Sequence, residues 1–235
     1  DLQIKKQVFA ELEKIVRKDC VLATNTSSLS IASIAAACQF PERVIGLHFF
    51  NPATIMPLVE IVPAIQTAAD TILDASSFIN FIGKTAVVCK DTPGFIVNRI
   101  ARPYYGEAIR IMEENIADIA TIDWAMKEIG GFKMGPFELM DFIGHDVNYR
   151  VTEIVWAQFF YDNKFKPSIA QKRLFEANRF GRKSGIGFYD YREGAATLTP
   201  NKDQVLGEYI FTRIISMLIN EAIDALYFQI ASKDD

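Results

Sequence analysis

The chain opens on a helical rhythm. In "DLQIKKQVFAELEKIVRKD" the residues Ile4, Val8, Leu12, Ile15 and Val16 share one face and charges occupy the others, which predicts an amphipathic helix. "CVLATNTSS" is a short apolar run ending in polar residues, the pattern of a buried strand feeding a helix N-cap. "LSIASIAAAC" is the helix it feeds. "RVIGLHFF" and "PLVEIVP" read as two further strands joined by "NPATIM". "TAADTILDASSFINFIG" predicts a helix closed by Gly83, and "KTAVVCKD" another strand. Strands alternating with helices imply a parallel sheet covered on both faces.

The rhythm changes after "TPGF". "FIVNRIARPYYGEAIRIMEEN" predicts a helix kinked at Pro103. "DIATIDWAMKEIGG" predicts one begun by Asp118 and stopped by Gly130-Gly131. "GPFELMDFIG", "HDVNYRVTEIVWAQFFYD" and "SIAQKRLFEANRFG" read as further helices, and only "GIGFYDY" looks like a strand beyond residue 92. The fold class is therefore α/β followed by all-α, with a seam near Pro93-Gly94. The organisation expected is 1–92, 93–192 and a last segment, 193–235. That segment carries a weak repeat: "RIARPYYGEAIRIMEENIAD" resembles "RIISMLINEAIDALYFQIAS", with Arg99, Ile100 and Glu107 answered by Arg213, Ile214 and Glu221. It reads either as two ordinary amphipathic helices or as a truncated second copy of the helical domain, with Thr212 standing where Asn98 stands in the first.

Composition excludes some classes. A net charge of -4 argues against a nucleic-acid or anionic-membrane surface. No apolar run reaches the length of a membrane span, and the charged start is no signal peptide. Cys20, Cys38 and Cys89 are scattered, without metal-ligand spacing, as buried thiols of a reducing, cytoplasmic compartment would be. The chain begins without Met and inside a helical pattern, so it is expected to be part of a longer protein.

The chain has two histidines, His48 and His145. His48 ends one strand, and Glu60 lies in the next, between Val59 and Ile61, where a carboxylate rarely sits unless paired. A carboxylate on Nδ1 fixes the tautomer and makes Nε2 a base; the plainer alternative is a packed histidine and a solvated glutamate. "TNTSS" either lines a cleft at a strand end or only caps the next helix through Ser27 or Ser28. Asn98, at the start of a helix by the seam, could bind a carbonyl oxygen or lie idle on the surface. "RKSGIGFYDY" is a Gly-rich turn with two cations, and no G-x-G-x-x-G or P-loop occurs.

Five stretches in order, "TNTSSLSI", "GLHFFNPATIMPLVEIV", "KDTPGFIVNRI", "MGPFELMDFIGHD" and "RKSGIGFYDY", closely resemble the L-3-hydroxyacyl-CoA dehydrogenase family over residues 1 to 192. The remainder resembles the start of a second C-terminal domain in longer, duplicated bacterial members. The resemblance implies the C-terminal part of a Rossmann-type domain followed by a helical domain like that of 6-phosphogluconate dehydrogenase. It implies NAD-dependent oxidation of a 3-hydroxyacyl-CoA to a 3-ketoacyl-CoA, as in fatty-acid β-oxidation. On that basis His48 accepts the hydroxyl proton, Glu60 orients it, Ser27 bonds the substrate hydroxyl, and Asn98 helps fix substrate and His48. Lys5, Asn51 and Lys183 match cofactor-contacting positions, and the helical domain is expected to form a homodimer.

The family's Gly-rich turn and ribose-binding acid would both precede Asp1, so the expectation is a catalytic pair without a complete NAD site. A non-catalytic module like the lens crystallin of this fold is the alternative, weakened by the intact His48, Glu60, Asn98 and Ser27. Other β-hydroxyacid dehydrogenases use a lysine, against which "GLHFFNP" speaks. "RPYYGEAIRIM" and "MGPFELMDF" are expected to line the acyl end. Arg102 is the candidate cation for an acyl group that ends in a second carboxylate, against the plainer expectation that it is exposed.

Overall fold

The structure is a computed structural model and describes residues 1–234. The chain divides into two compact units, Asp1–Arg99 with residues 224–234, and Ile100–Ile223. The division falls a few residues beyond the seam expected at Pro93-Gly94.

The first unit holds α1 (Leu2–Ile15), β1 (Leu22–Thr24), α2 (Ile31–Ala35), β2 (Val44–Phe49), β3 (Leu58–Pro63), α3 (Ala69–Phe81), β4 (Thr85–Val88) and most of α4 (Val97–Ile100). The sheet order is β1-β2-β3-β4. The outer pairs are parallel, but β2 and β3 run antiparallel, which corrects the expectation of a wholly parallel sheet. The "NPATIM" link is too short for a crossover, so the chain must turn straight back. Both sheet faces are covered. Val44 and Val62 pack with Phe9, Ile31 and Ile34 of α1 and α2, while Ile45, Leu47, Val59 and Ile61 pack with Ala75 and Ile79 of α3. That alternation is the period-two pattern of a strand.

Helix α1 forms where expected, with Asp1 Oδ1 capping the amides of Gln3 and Ile4. Its packed face is not the expected stripe. Phe9 is buried, with Leu2 and Val16 beside it, whereas Ile4, Val8, Leu12 and Ile15 are exposed. Helix α2 is also shorter than expected, and its N-cap is Ser30, whose Oγ accepts from Ser33 N, not Ser27 or Ser28. The Asp91 carboxylate reinforces that cap by accepting from Ser30 Oγ and Ala32 N.

The second unit comprises α5 (Arg102–Glu113), α6 (Ile119–Trp124), α7 (Pro136–Ile143), α8 (His145–Gln158), α9 (Ile169–Glu176) and most of α10 (Gln204–Tyr227). The kink expected at Pro103 is a complete break: α4 ends at Ile100, and Pro103 stands in the first turn of α5, where its missing N–H leaves no bond unmade. Asp118 caps α6 through Thr121 N as expected. The core is built from Ala108, Ile111, Ile122, Met126, Phe137 and Met140, closed by Ile210 and Ile214 of α10. The "GIGFYDY" stretch forms no strand. It makes two isolated bridges, Gly181 with Ile186 and Ile186 with Asp190. After α10 the chain meets the first unit, where Ile230 O accepts from Lys90 N at 2.9 Å.

Candidate active site

The antiparallel register sets His48 directly opposite Glu60. Both project to the sheet face that carries Val44 and Val62, because side chains two apart on a strand share a face. His48 Nδ1 lies 2.6 Å from Glu60 Oε2. Glu60 is fully buried, and its other oxygen is equally engaged, with Oε1 accepting from Ile96 N at 3.0 Å and Val97 N at 2.8 Å. Those amides open the first turn of α4, where N–H groups lack helical partners. Their aim depends on the "DTPGF" turn. Gly94 has φ +77, and a Cβ there would stand 2.9 Å from Arg99 N, so the turn is closed to larger residues.

A carboxylate with three hydrogen bonds is fixed in place, and it holds the imidazole in turn. With the proton on Nδ1 directed at Glu60, Nε2 carries the lone pair. Among the described residues Nε2 has no hydrogen-bond partner, and it is not sealed from solvent. The ring is walled by Phe50 at 4.6 Å and Phe95 at 5.7 Å between centroids. The result is an oriented base, shielded on its sides and open at one nitrogen. Phe50, Phe95 and Asp91 were not singled out from the sequence, although all three lie inside the quoted motifs.

Among the other expected site residues, Ser27 is half-buried beyond β1, and its side chain bonds no described residue. Lys5 Nζ donates to Thr24 Oγ1 at 3.1 Å, at the carboxyl end of β1. Asn25 Oδ1 there accepts from Phe49 N, tying that end to β2. Asn51 is exposed just past β2. Asn98 is half-buried in α4, one residue after the Val97 amide that holds Glu60; no hydrogen bond joins it to His48. Lys183 belongs to the second unit, where it is exposed and ion-paired with Asp146 at 2.5 Å.

The second histidine is different. His145 is fully buried, and its Nε2 lies 2.8 Å from Asp141 Oδ1, but its Nδ1 is sealed and unpaired. Asp141 also accepts from Phe188 N, Tyr189 N and the Tyr191 hydroxyl. This explains Gly187 of "RKSGIGFYDY": a Cβ there would fall 2.1 Å from Asp141 Oδ1. The motif wraps a buried carboxylate.

Family profiles match along the chain, "3-hydroxyacyl-CoA dehydrogenase, NAD binding domain" over residues 1–92 and "3-hydroxyacyl-CoA dehydrogenase, C-terminal domain" over 94–191. A 3-hydroxyadipyl-CoA dehydrogenase of Escherichia coli is 49% identical over 81% of the chain and 40% of its own length. The mitochondrial hydroxyacyl-coenzyme A dehydrogenase of Sus scrofa is 43% identical over 82% of the chain and 61% of its own length. The chain thus spans less than two thirds of these relatives. A crystal structure of 3-hydroxybutyryl-CoA dehydrogenase from Escherichia coli superposes on 100% of the chain and 68% of that protein, with TM-score 0.90 and 34% identity. The fold expected from the sequence, a Rossmann-type NAD-binding part followed by a helical C-terminal domain, agrees with these matches. The chain belongs to the 3-hydroxyacyl-CoA dehydrogenase family.

Proposed function

We propose that the protein containing this chain oxidises an L-3-hydroxyacyl-CoA to the 3-ketoacyl-CoA with NAD. The observation that carries the reading is the buried Glu60 holding His48 at 2.6 Å while Nε2 stays open. Proton transfer by such a positioned imidazole is worth about 10²–10⁴-fold in rate. In this reading Nε2 takes the proton of the substrate's C3 hydroxyl as hydride leaves C3. Glu60 stabilises the imidazolium that forms and keeps the ring from rotating. Ser27, with its side chain unengaged, bonds the substrate oxygen, and Asn98 fixes the substrate beside His48.

Bound NAD supplies the hydride acceptor. The residues at the carboxyl ends of β1 and β2 suit such a group. Lys5, Asn25 and Asn51 present polar side chains where open α/β sheets take ligands. Lys183 is the further candidate for the cofactor. The organisation proposed is 1–92, 93–192 and a second helical domain beginning in 193–235, the protein being a cytoplasmic homodimer through its helical part. Among the described residues no helix is long and apolar enough to cross a membrane.

The test is NADH fluorescence titration, followed by NADH oxidation with acetoacetyl-CoA, on the full-length protein and on this chain. Turnover by the full-length protein, lost on His48→Gln, supports the reading. Full-length protein that binds NADH but leaves acetoacetyl-CoA unreduced contradicts it.

A further inference from the structure

Helix α5 holds a glycine in its interior that local sterics do not demand. Gly106 follows Tyr105 in the helix, where glycine costs about 1 kcal/mol against alanine. Its backbone is not left-handed, and a Cβ on it would meet nothing within 4 Å. Gly106 lines a cavity of about 340 Å³ in the second unit, in the size range of small-molecule sites, and leaving it bare keeps that wall open.

Arg102, one turn earlier in α5, lines the same cavity. It is 6% exposed, against the expectation of a surface residue. Nη1 donates to the neutral Thr152 Oγ1 at 3.1 Å, and the Tyr105 ring lies 5.4 Å from the guanidinium carbon. Nε is sealed and unpaired, whereas Nη2 is not sealed and has no partner among the described residues. Among those residues no carboxylate pairs with Arg102. An arginine keeps its charge at neutral pH, and a buried charge without a counter-charge is costly.

The other charges of the wall are Arg110, Glu113, Lys164 and Lys166. Arg110 Nη1 is matched by Glu107 at 2.9 Å and Lys164 by Glu221 at 2.6 Å. Glu113 is exposed and accepts from Ser168 Oγ at 2.6 Å. Lys166 is exposed and, among the described residues, pairs with no carboxylate. Two unmatched cations, Arg102 and Lys166, against Glu113 leave one positive charge, which fits a monoanion. The neutral polar side chains are engaged: Thr152 Oγ1 donates to Asn148 O at 2.9 Å, and Gln171 Nε2 to Asn148 Oδ1 at 2.8 Å. Tyr105, Ile109 and Phe165 add apolar surface. A guanidinium matches a carboxylate in geometry and charge, and the apolar surface suits methylenes behind it.

We propose that this cavity is a binding site for a small carboxylate with a short aliphatic tail, its oxygens on Arg102 and Lys166. Every residue of the site belongs to the second unit, so the inference stands apart from the reaction proposed for His48.

Calorimetric titration of the full-length protein with sodium hexanoate, hexan-1-ol and inorganic phosphate tests it. Hexanoate is expected to bind saturably with a Kd of about 1 mM or below. The alcohol and phosphate should bind at least about tenfold more weakly. Arg102→Met should weaken hexanoate by about tenfold to a hundredfold, the worth of a charge-assisted hydrogen bond. Lys166→Met, at an exposed charge, should weaken it by about threefold. Gly106→Leu fills the cavity from a position with room for a Cβ, and should weaken hexanoate by at least about tenfold while melting no lower than wild type. His48→Gln should bind hexanoate within about twofold of wild type, which separates this site from that of the proposed reaction. No saturation of wild type by about 20 mM, equal binding of the alcohol, or loss in His48→Gln overturns the proposal. So does hexanoate binding kept within about threefold in Arg102→Met or Gly106→Leu. Should Arg102→Met fail to fold by its circular dichroism melt, Gly106→Leu decides.

Discussion

Both histidines of this chain touch a carboxylate, and the two pairs differ in what is left of the ring. In the first unit His48 is held through Nδ1 by Glu60, and its Nε2 is open. In the second unit His145 is held through Nε2 by Asp141, and its Nδ1 is sealed without a partner. The distances are alike, at 2.6 and 2.8 Å. The difference lies in what surrounds the far nitrogen. Glu60 is held by backbone amides and serves one side chain, whereas Asp141 is the hub for three further donors. One pair leaves a ring nitrogen open, as the proposed proton transfer requires, and the other joins α7 and α8 to the loop that follows α9.

Five substitutions would break or sharpen that contrast. The largest effect is expected from His48→Gln in the full-length protein, a fall in kcat of about 10³-fold with the fold intact, read by NADH-linked turnover and thermal melting. Asp141→Ala should do the reverse. It strands four donors in the core, and urea unfolding should show a loss of about 3–5 kcal/mol, with activity per folded molecule retained. Glu60→Gln keeps the shape but removes the charge that stabilises the imidazolium. It should lower kcat by about ten- to a hundredfold, one to two decades at 1.4 kcal/mol each, with a smaller stability cost than Asp141→Ala.

The fourth concerns pH. Burial pushes the Asp123 carboxyl up to about 7, outweighing its bonds from Phe137 N, the Tyr189 hydroxyl and Glu138 N. The folded state then keeps a proton that the unfolded chain releases near 3.8. The stability this contributes is full below that value and is lost as pH rises through about 7. Urea titrations between these limits should show a decline of a few kcal/mol at most, and Asp123→Asn should flatten it. The smallest effect belongs to the exposed side of α1, where Ile15→Lys should change stability by under about 0.5 kcal/mol in this chain.

Much of the first unit was legible because its signals are local. Apolar runs joined by "NPATIM" marked β2 and β3, and that link was short enough to place His48 near Glu60. The His48–Glu60 pair could be suspected because a carboxylate inside "VEIV" demands a partner. What escaped depends on packing across distance. Helix α1 carries two apolar sets, Leu2-Phe9-Val16 and Ile4-Val8-Leu12-Ile15, and periodicity cannot say which meets the sheet. Ser30 wins the N-cap over Ser27 and Ser28 because Asp91, remote in sequence, supports it. Arg102 looked like a surface cation because nothing beside it in sequence reveals the Thr152 and Phe165 that help enclose it. "GIGFYDY" imitated a strand because alternating apolar residues also suit a loop wrapped on a buried carboxylate.

The central claim is that His48, and not merely the fold around it, carries the chemistry. The most direct measurement is the single-turnover rate of NADH oxidation by acetoacetyl-CoA in the full-length His48→Gln protein, alongside its melting temperature. The account predicts a fall of about 10³-fold with Tm within about 2 °C of wild type. A rate within threefold of wild type, or a loss explained wholly by unfolding, would contradict it.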